Sequence, residues 1–119
     1  MNTIPLVQGK DIDAAHISAR HVVEVHKELT DYLKAGLTLT EIDSFIAAKL
    51  RDLKCKSAFL RYQIPGQPPF PSHSCLSVND CVVHGTHSMN QGPLSPGDLI
   101  SIDIGVMPHG WFGDAAWTW

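Results

Sequence analysis

Between Asp11 and about Leu33, the apolar residues Ile12, Ala15, Ala19, Val22, Val23, Leu29 and Leu33 recur at steps of three and four. Arg20, Glu24, Lys27, Glu28 and Asp31 fall mainly on the other side. That alternation predicts a surface helix with one buried face, stopped by Gly36 just beyond it. Thr38-Leu39-Thr40-Glu41 fits a capping box, in which hydroxyl and carboxylate satisfy the first free amides of a second helix. Ile42, Phe45, Ile46 and Leu50 give that helix a buried stripe ending near Leu53. A helical hairpin of this kind says nothing about chemistry.

After Cys55 the period changes. Ala58 to Tyr62 reads as a short strand, and Ile64 to Pro71, with four prolines in eight residues, reads as a loop without regular pairing. Ser74 to Val78 and Cys81 to Val83 are short apolar stretches, and Pro93 to Asp98 is rich in turn formers. The β-branched run Leu99 to Val106 predicts a strand. Met107-Pro108-His109-Gly110 predicts a turn, and Trp111 to about Trp119 a return strand. The order of elements is that of an α+β domain, two N-terminal helices packed on an antiparallel sheet.

The chain has 119 residues, a size suited to a single domain with a modest core, spanning residues 1–119. With 44% apolar and 18% charged residues it is globular rather than disordered. Nine basic against 12 acidic residues leave a formal charge of −3, which lacks the basic footprint of a nucleic-acid binder and offers no polybasic membrane patch. No apolar run is long enough to span a bilayer. Met1 to Lys10 lacks the pattern of a signal peptide. Cys55, Cys75 and Cys81 form no CxxC pair and leave an odd count, so a reducing, cytoplasmic setting is the simplest expectation.

The hairpin at the end of the chain carries the chemistry. A turn centred between Pro108 and His109 sets Asp103 directly opposite Asp114 on one face of the ribbon, with β-carbons roughly 5 Å apart. Two ionised carboxylates there repel by about 3 kcal/mol at an effective dielectric near 20. A shared proton, a nearby cation or a metal ion must offset that. Asp114 on an exposed edge, with Asp103 capping something locally, fits the pattern equally well. A one-residue bulge, which Gly113 could permit, sends the two groups to opposite faces.

Three ordered segments bear a resemblance. Ser77-Val78-Asn79-Asp80-Cys81-Val82-Val83-His84-Gly85, Pro96-Gly97-Asp98-Leu99-Ile100-Ser101-Ile102-Asp103 and Gly110-Trp111-Phe112-Gly113-Asp114 are similar to the N-terminal half of type I methionine aminopeptidases. The similarity runs over nearly the whole chain. It implies half of a pita-bread fold, with the C-terminal half absent from these residues. It also implies the removal of initiator methionine from nascent polypeptides, and a site for two divalent ions such as cobalt, manganese, iron or zinc.

By the same resemblance Asp103 and Asp114 are metal ligands. His84 contacts substrate at the scissile bond, and Tyr62 and Cys75 line the methionine pocket. A histidine and two glutamates that complete the family's five ligands fall beyond Trp119, so the isolated chain is expected to be inactive, with a metal site that is weak or absent. Gln63 stands where the family has histidine, Gly105 where threonine is common, and Ala115-Ala116 where hydroxyl residues are expected. The expected partner is the N-terminus of a nascent peptide, with a C-terminal half-domain or a second copy to complete the site. Alternatives are a non-catalytic peptide- or ribosome-binding module, and a homodimer sharing a metal centre through edges that carry Trp111, Trp117 and Trp119.

Overall fold

A computed structural model describes residues 3–119. The leader expectation for Met1 to Lys10 begins on residues 1–2, which lie outside the described residues. Helix α1 spans Lys10–Tyr32 and helix α2 spans Leu39–Asp52. Strands β1 (Cys75–Val78), β2 (Ile100–Val106) and β3 (Gly113–Thr118) form an antiparallel sheet in the order β1-β2-β3. Both helices form where the periodicity places them, but the buried face of α1 is corrected: Val22 and Leu29 are buried as expected, Ile12 and Ala19 are exposed, and Ser18, Val25 and His26 are buried instead. The capping box forms as expected: the Glu41 amide donates to the Thr38 hydroxyl at 3.2 Å, and the Thr38 amide to the Glu41 carboxylate at 2.8 Å. Gly36 adopts φ 94 beyond α1, and its amide bonds the Leu94 carbonyl at 2.8 Å, tying the interhelical turn to the loop before β2.

One face of the sheet builds the core. Leu76, Ile102, Ile104 and Val106 are buried against Val22, Val25 and Leu29 of α1 and Ile42, Ile46 and Leu50 of α2. Burial of these aliphatic side chains supplies most of the driving force, at about 1.5–3 kcal/mol each. The buried Asp43 of α2 anchors the start of β1. Its carboxylate accepts hydrogen bonds from the His73 and Ser74 amides and, at 2.7 Å, from the Ser74 hydroxyl.

The structure corrects the reading of residues 58–62, which form no strand. Ser57 alone bridges to Val106, extending the sheet beside β2 for one residue. The chain then turns, and Arg61 adopts φ 64. Arg61 and Tyr62 instead pair with Phe70 through backbone bonds of 2.9 and 2.7 Å, which close the proline-rich loop at its base. In the apolar stretch Cys81 to Val83, Val82 and Val83 lie exposed.

The hairpin register is corrected by two residues. Asp103 faces Ala116, and Asp114 faces Gly105. The connection is longer than a four-residue turn because the Met107 amide bonds the Lys56 carbonyl at 3.0 Å rather than crossing to β3. Gly110 turns the chain at φ 82, and the return strand begins at Gly113 instead of Trp111. A two-residue shift keeps side-chain parity, so Asp103 and Asp114 still share a face. Pairing is continuous from Gly113 to Thr118, without a bulge.

The tryptophan-bearing edge is also more satisfied than its sequence suggests. Trp117 and Trp119 stack on the buried His26 ring of α1, with centroids 5.0 and 5.6 Å away, and the Trp119 indole donates to Thr30. The His26 Nε2–H donates to the Ala115 carbonyl at 2.8 Å, and the Ser18 hydroxyl to the Trp111 carbonyl at 2.8 Å. Gly113 lies where a Cβ would run into the Ser18 backbone of α1. Gly113→Ala must therefore push α1 off β3. It is expected to destabilise the chain by about 1–3 kcal/mol in urea unfolding, whereas a change within 0.5 kcal/mol (approximately the noise of a surface substitution) would contradict this packing.

Candidate metal centre

Alternation along the three strands decides which side chains meet. The face turned from the helices carries Cys75 of β1, Asp103 and Gly105 of β2, and Asp114 and Ala116 of β3, with Cys75 and Ala116 on either side of Asp103. Above it lies an open cavity of about 590 Å³. All five residues singled out from the sequence line it: Tyr62, Cys75, His84, Asp103 and Asp114. Sequence reasoning missed the other walls, which include Phe59, Ile64, Phe70 and Phe112. Their only signal was an apolar residue in the proline-rich loop (Ile64, Phe70) or in a stretch expected to be strand (Phe59, Phe112).

Asp103 and Asp114 are diagonal neighbours across β2 and β3, placed so that a proton on one carboxyl can be shared with the other. Burial of Asp103, then that shared proton and the charge of Asp114, push its carboxyl up to about 7. Asp103 Oδ1 is buried and has no hydrogen-bond partner. Of its neighbours on that face, Ala116 and Gly105 have no side-chain donor to offer, and the Cys75 thiol makes no hydrogen bond to it. A carboxylate oxygen enclosed without a donor, beside a second carboxylate, is suited to a cation, and hard anionic oxygens suit divalent metal ions. The two groups therefore fit a metal, although among the described residues no group of three or more His, Cys, Asp or Glu side chains is placed to hold one.

The other three residues surround this pair. Cys75 is buried, and desolvation, reinforced by Asp103, Asp114 and Asp43, pushes its thiol up to about 12. A thiol so strongly protonated serves as a small, soft piece of wall. His84 is exposed and holds φ 59, a left-handed conformation that costs a non-glycine residue of order 1 kcal/mol. Gly85 fixes it there. The Gly85 carbonyl accepts from the Leu76 amide at 2.8 Å and its amide donates to Ser77 Oγ at 3.1 Å, an approach to β1 that no Cβ would permit. Tyr62 stands at the base of the proline-rich loop, largely exposed. Gln63 does not line the cavity; its side-chain amide donates to the Gln67 carbonyl and braces that loop internally.

The model of metallopeptidase family M24 matches residues 13–119. Methionine aminopeptidase 1 of Mycobacterium tuberculosis is 31% identical over 115 residues, covering 97% of this chain and 41% of that protein. Methionine aminopeptidase 1 of Bacillus subtilis is 35% identical over 102 residues, covering 86% of this chain and 38% of that protein. Among solved structures, methionine aminopeptidase from Rickettsia prowazekii superposes with a TM-score of 0.89 at 26% identity, over 98% of this chain and 44% of that one. The Thermotoga maritima enzyme gives 0.85 at 26% identity, over 98% and 45%. The chain thus spans a little under half the length of these relatives, and its fold is half of their pita-bread architecture.

The elevated proton affinity of Asp103 sets a pH dependence for the metal-free chain. Folding binds a proton more tightly at Asp103 than the unfolded state does, so its stabilising effect is full below the unfolded pKa near 3.8 and is lost as pH rises through about 7. His26, lowered by burial, acts with the opposite sign, because its protonation opposes folding as pH falls below 6.5. The difference between wild type and Asp103→Asn isolates the first effect. In urea unfolding with a chelator present, the variant should gain about 1–2 kcal/mol on wild type between pH 4 and 8, a figure reduced for solvent screening at this half-exposed group. A constant difference across that range would contradict the shared-proton geometry.

Proposed function

We propose that this chain, which belongs to metallopeptidase family M24, acts as the N-terminal part of a metal-dependent methionine aminopeptidase that removes the initiator methionine from nascent polypeptides. The observation that carries the reading is the convergence of two carboxylates, a strained histidine and an apolar wall on one cavity.

Asp103 and Asp114 hold the metal. A divalent cation such as cobalt, manganese, iron or zinc held between them would give the buried Asp103 Oδ1 a partner and offset the repulsion between the two groups. A metal bound there acts as a Lewis acid on the scissile carbonyl. His84 faces the same cavity from the loop after β1 and donates a hydrogen bond to that carbonyl as charge develops on its oxygen. Tyr62 and the protonated Cys75 receive the first side chain, the thiol offering a soft surface to a thioether.

Two aspartates leave most of a metal's coordination shell to water, so metal binding by residues 3–119 is weak and catalysis by them alone is negligible. No helix among the described residues is long and apolar enough to cross a membrane, and the substrate is the free N-terminus of a peptide chain.

Manganese binding followed by electron paramagnetic resonance tests the ligand assignment. Asp103→Asn and Asp114→Asn should each lower affinity at least about tenfold, while His84→Ala stays within about twofold. Unchanged affinity in the aspartate variants would overturn the assignment. Methionyl peptides incubated with the purified chain and cobalt or manganese should bind without appreciable hydrolysis. Robust turnover would show that donors beyond the two aspartates are not required.

A further inference from the structure

Of the seven histidines, His26 alone is fully buried, and it sits in the seam between α1 and β3. Its Nε2 lies 2.8 Å from the Ala115 carbonyl, which can only accept, so that nitrogen carries the proton of the neutral ring. The lone pair then falls on Nδ1, which is enclosed and has no hydrogen-bond partner. Trp117 and Trp119 cover the ring, stacked on it at interplanar angles of 8° and 25°. The Trp119 indole donates to Thr30 Oγ1, whose own hydroxyl donates to the His26 carbonyl at 3.1 Å. Ring, helix backbone and both indoles are thus one connected unit.

A second proton has to enter at Nδ1, where nothing can accept from the N–H it creates. The residues one turn away on α1, Val22, Val23, Leu29 and Thr30, carry no charge. Glu24 and Lys27 are exposed, and Glu28 is paired with Lys49 of α2. On the sheet, Asp103 of β2 and Asp114 of β3 stand on the face turned away from α1. Indole faces favour a cation. They supply no acceptor for an imidazolium N–H, however, and burial holds the proton affinity of the ring below that of an ordinary histidine.

We propose that His26 is a proton-operated pin for Asp114: neutral, it holds β3 against α1, and protonated, it withdraws and frees the strand that carries the carboxylate. An imidazolium gains an acceptor at Nδ1 only by swinging out to water. That movement breaks the bond to Ala115, the residue next to Asp114, and unstacks both indoles. Among the described residues β3 is paired on one side only, so it has few other ties. His26 acts through Ala115 and is a positioning residue. Its effect on metal binding rests on the reading of the two aspartates as ligands; the opening of the seam does not.

Tryptophan emission of the metal-free chain, followed from pH 8 to pH 4, tests the opening. It should shift to the red in one step with a midpoint below 6.5, as the indoles meet water, while far-ultraviolet circular dichroism keeps its helical signal. The Cε1 proton of His26, followed by nuclear magnetic resonance, should titrate with the same midpoint, a measurement that needs no variant. His26→Gln keeps an N–H for the Ala115 carbonyl and cannot titrate, so it should lack the emission step. Manganese affinity, read by electron paramagnetic resonance, should be equal in wild type and His26→Gln at pH 7.5. One pH unit below the emission midpoint it should be about two- to fivefold weaker in wild type, the range that loss of one neutral hydrogen bond transmits. Protonation of the aspartates weakens both proteins alike and cancels from that comparison.

A His26 resonance titrating at or above 6.5, an emission step retained in His26→Gln, or a helical signal lost with the same midpoint would overturn the pin. Equal manganese affinities at both pH values would overturn it too, by uncoupling the seam from Asp114. An emission step confined to wild type, with no manganese bound by either protein, would support the opening of the seam and defeat the ligand assignment instead.

Discussion

The alternation of side chains across one antiparallel ribbon is the constraint from which the site follows. β2 must bury Ile102 and Ile104 beneath the helices, and a strand that does so has no choice but to present Asp103 and Gly105 on its other face. β3 faces it in a register that sends Asp114 to the same side. A carboxylate pair is an unfavourable arrangement on its own, as the high proton affinity of Asp103 records. It persists because moving Asp103 to the other face would expose Ile102 and Ile104, and moving Asp114 would pull Gly113, Ala115 and Trp117 away from α1. The hydrophobic core thus holds an electrostatically strained pair in place.

Local signals made part of this legible. The two helices, the Thr38–Glu41 box and the hairpin all follow from period and from short-range chemistry, and the structure reproduces them. Register did not follow, since it depends on Met107 bonding Lys56, a residue far away in sequence. The aspartates are not directly opposed as expected, yet they share a face because an even-numbered shift preserves parity; a shift of one residue would have separated them. The aromatic wall was hidden for a related reason. Phe59 and Phe112 fall where strands are expected and none forms, and Phe70 in the proline-rich loop, so only tertiary folding gathers them at one cavity.

The departures from the family pattern are absorbed locally. Gln63 makes an internal brace for the proline-rich loop. Gly105 makes room for the Phe59 ring. Ala115 turns toward α1, where its carbonyl accepts from His26, and needs no hydroxyl for that contact. Ala116 is different. It lies directly across from Asp103 and supplies no donor, so Asp103 Oδ1 remains enclosed and unpartnered. Losing a hydroxyl at that position leaves the carboxylate more dependent on a proton or a cation.

The N-terminal helix, although remote from the cavity, fixes the position of Asp114. The residue before it, Gly113, lies against the Ser18 backbone of α1, and the residue after it, Ala115, is bonded to His26 of the same helix. Trp117 and Trp119 extend that seam by stacking on the His26 ring. Among the described residues β3 is an edge strand, held by backbone pairing on one side only, and such a strand is free to fray or slide unless its face is tied down. Because α1 grips β3 on both sides of Asp114, the carboxylate that faces the cavity is positioned by contacts made on the opposite face. Weakening the α1 seam should therefore disturb the carboxylate pair before it disturbs Cys75 or His84, which are set by β1 and by the anchor at Asp43.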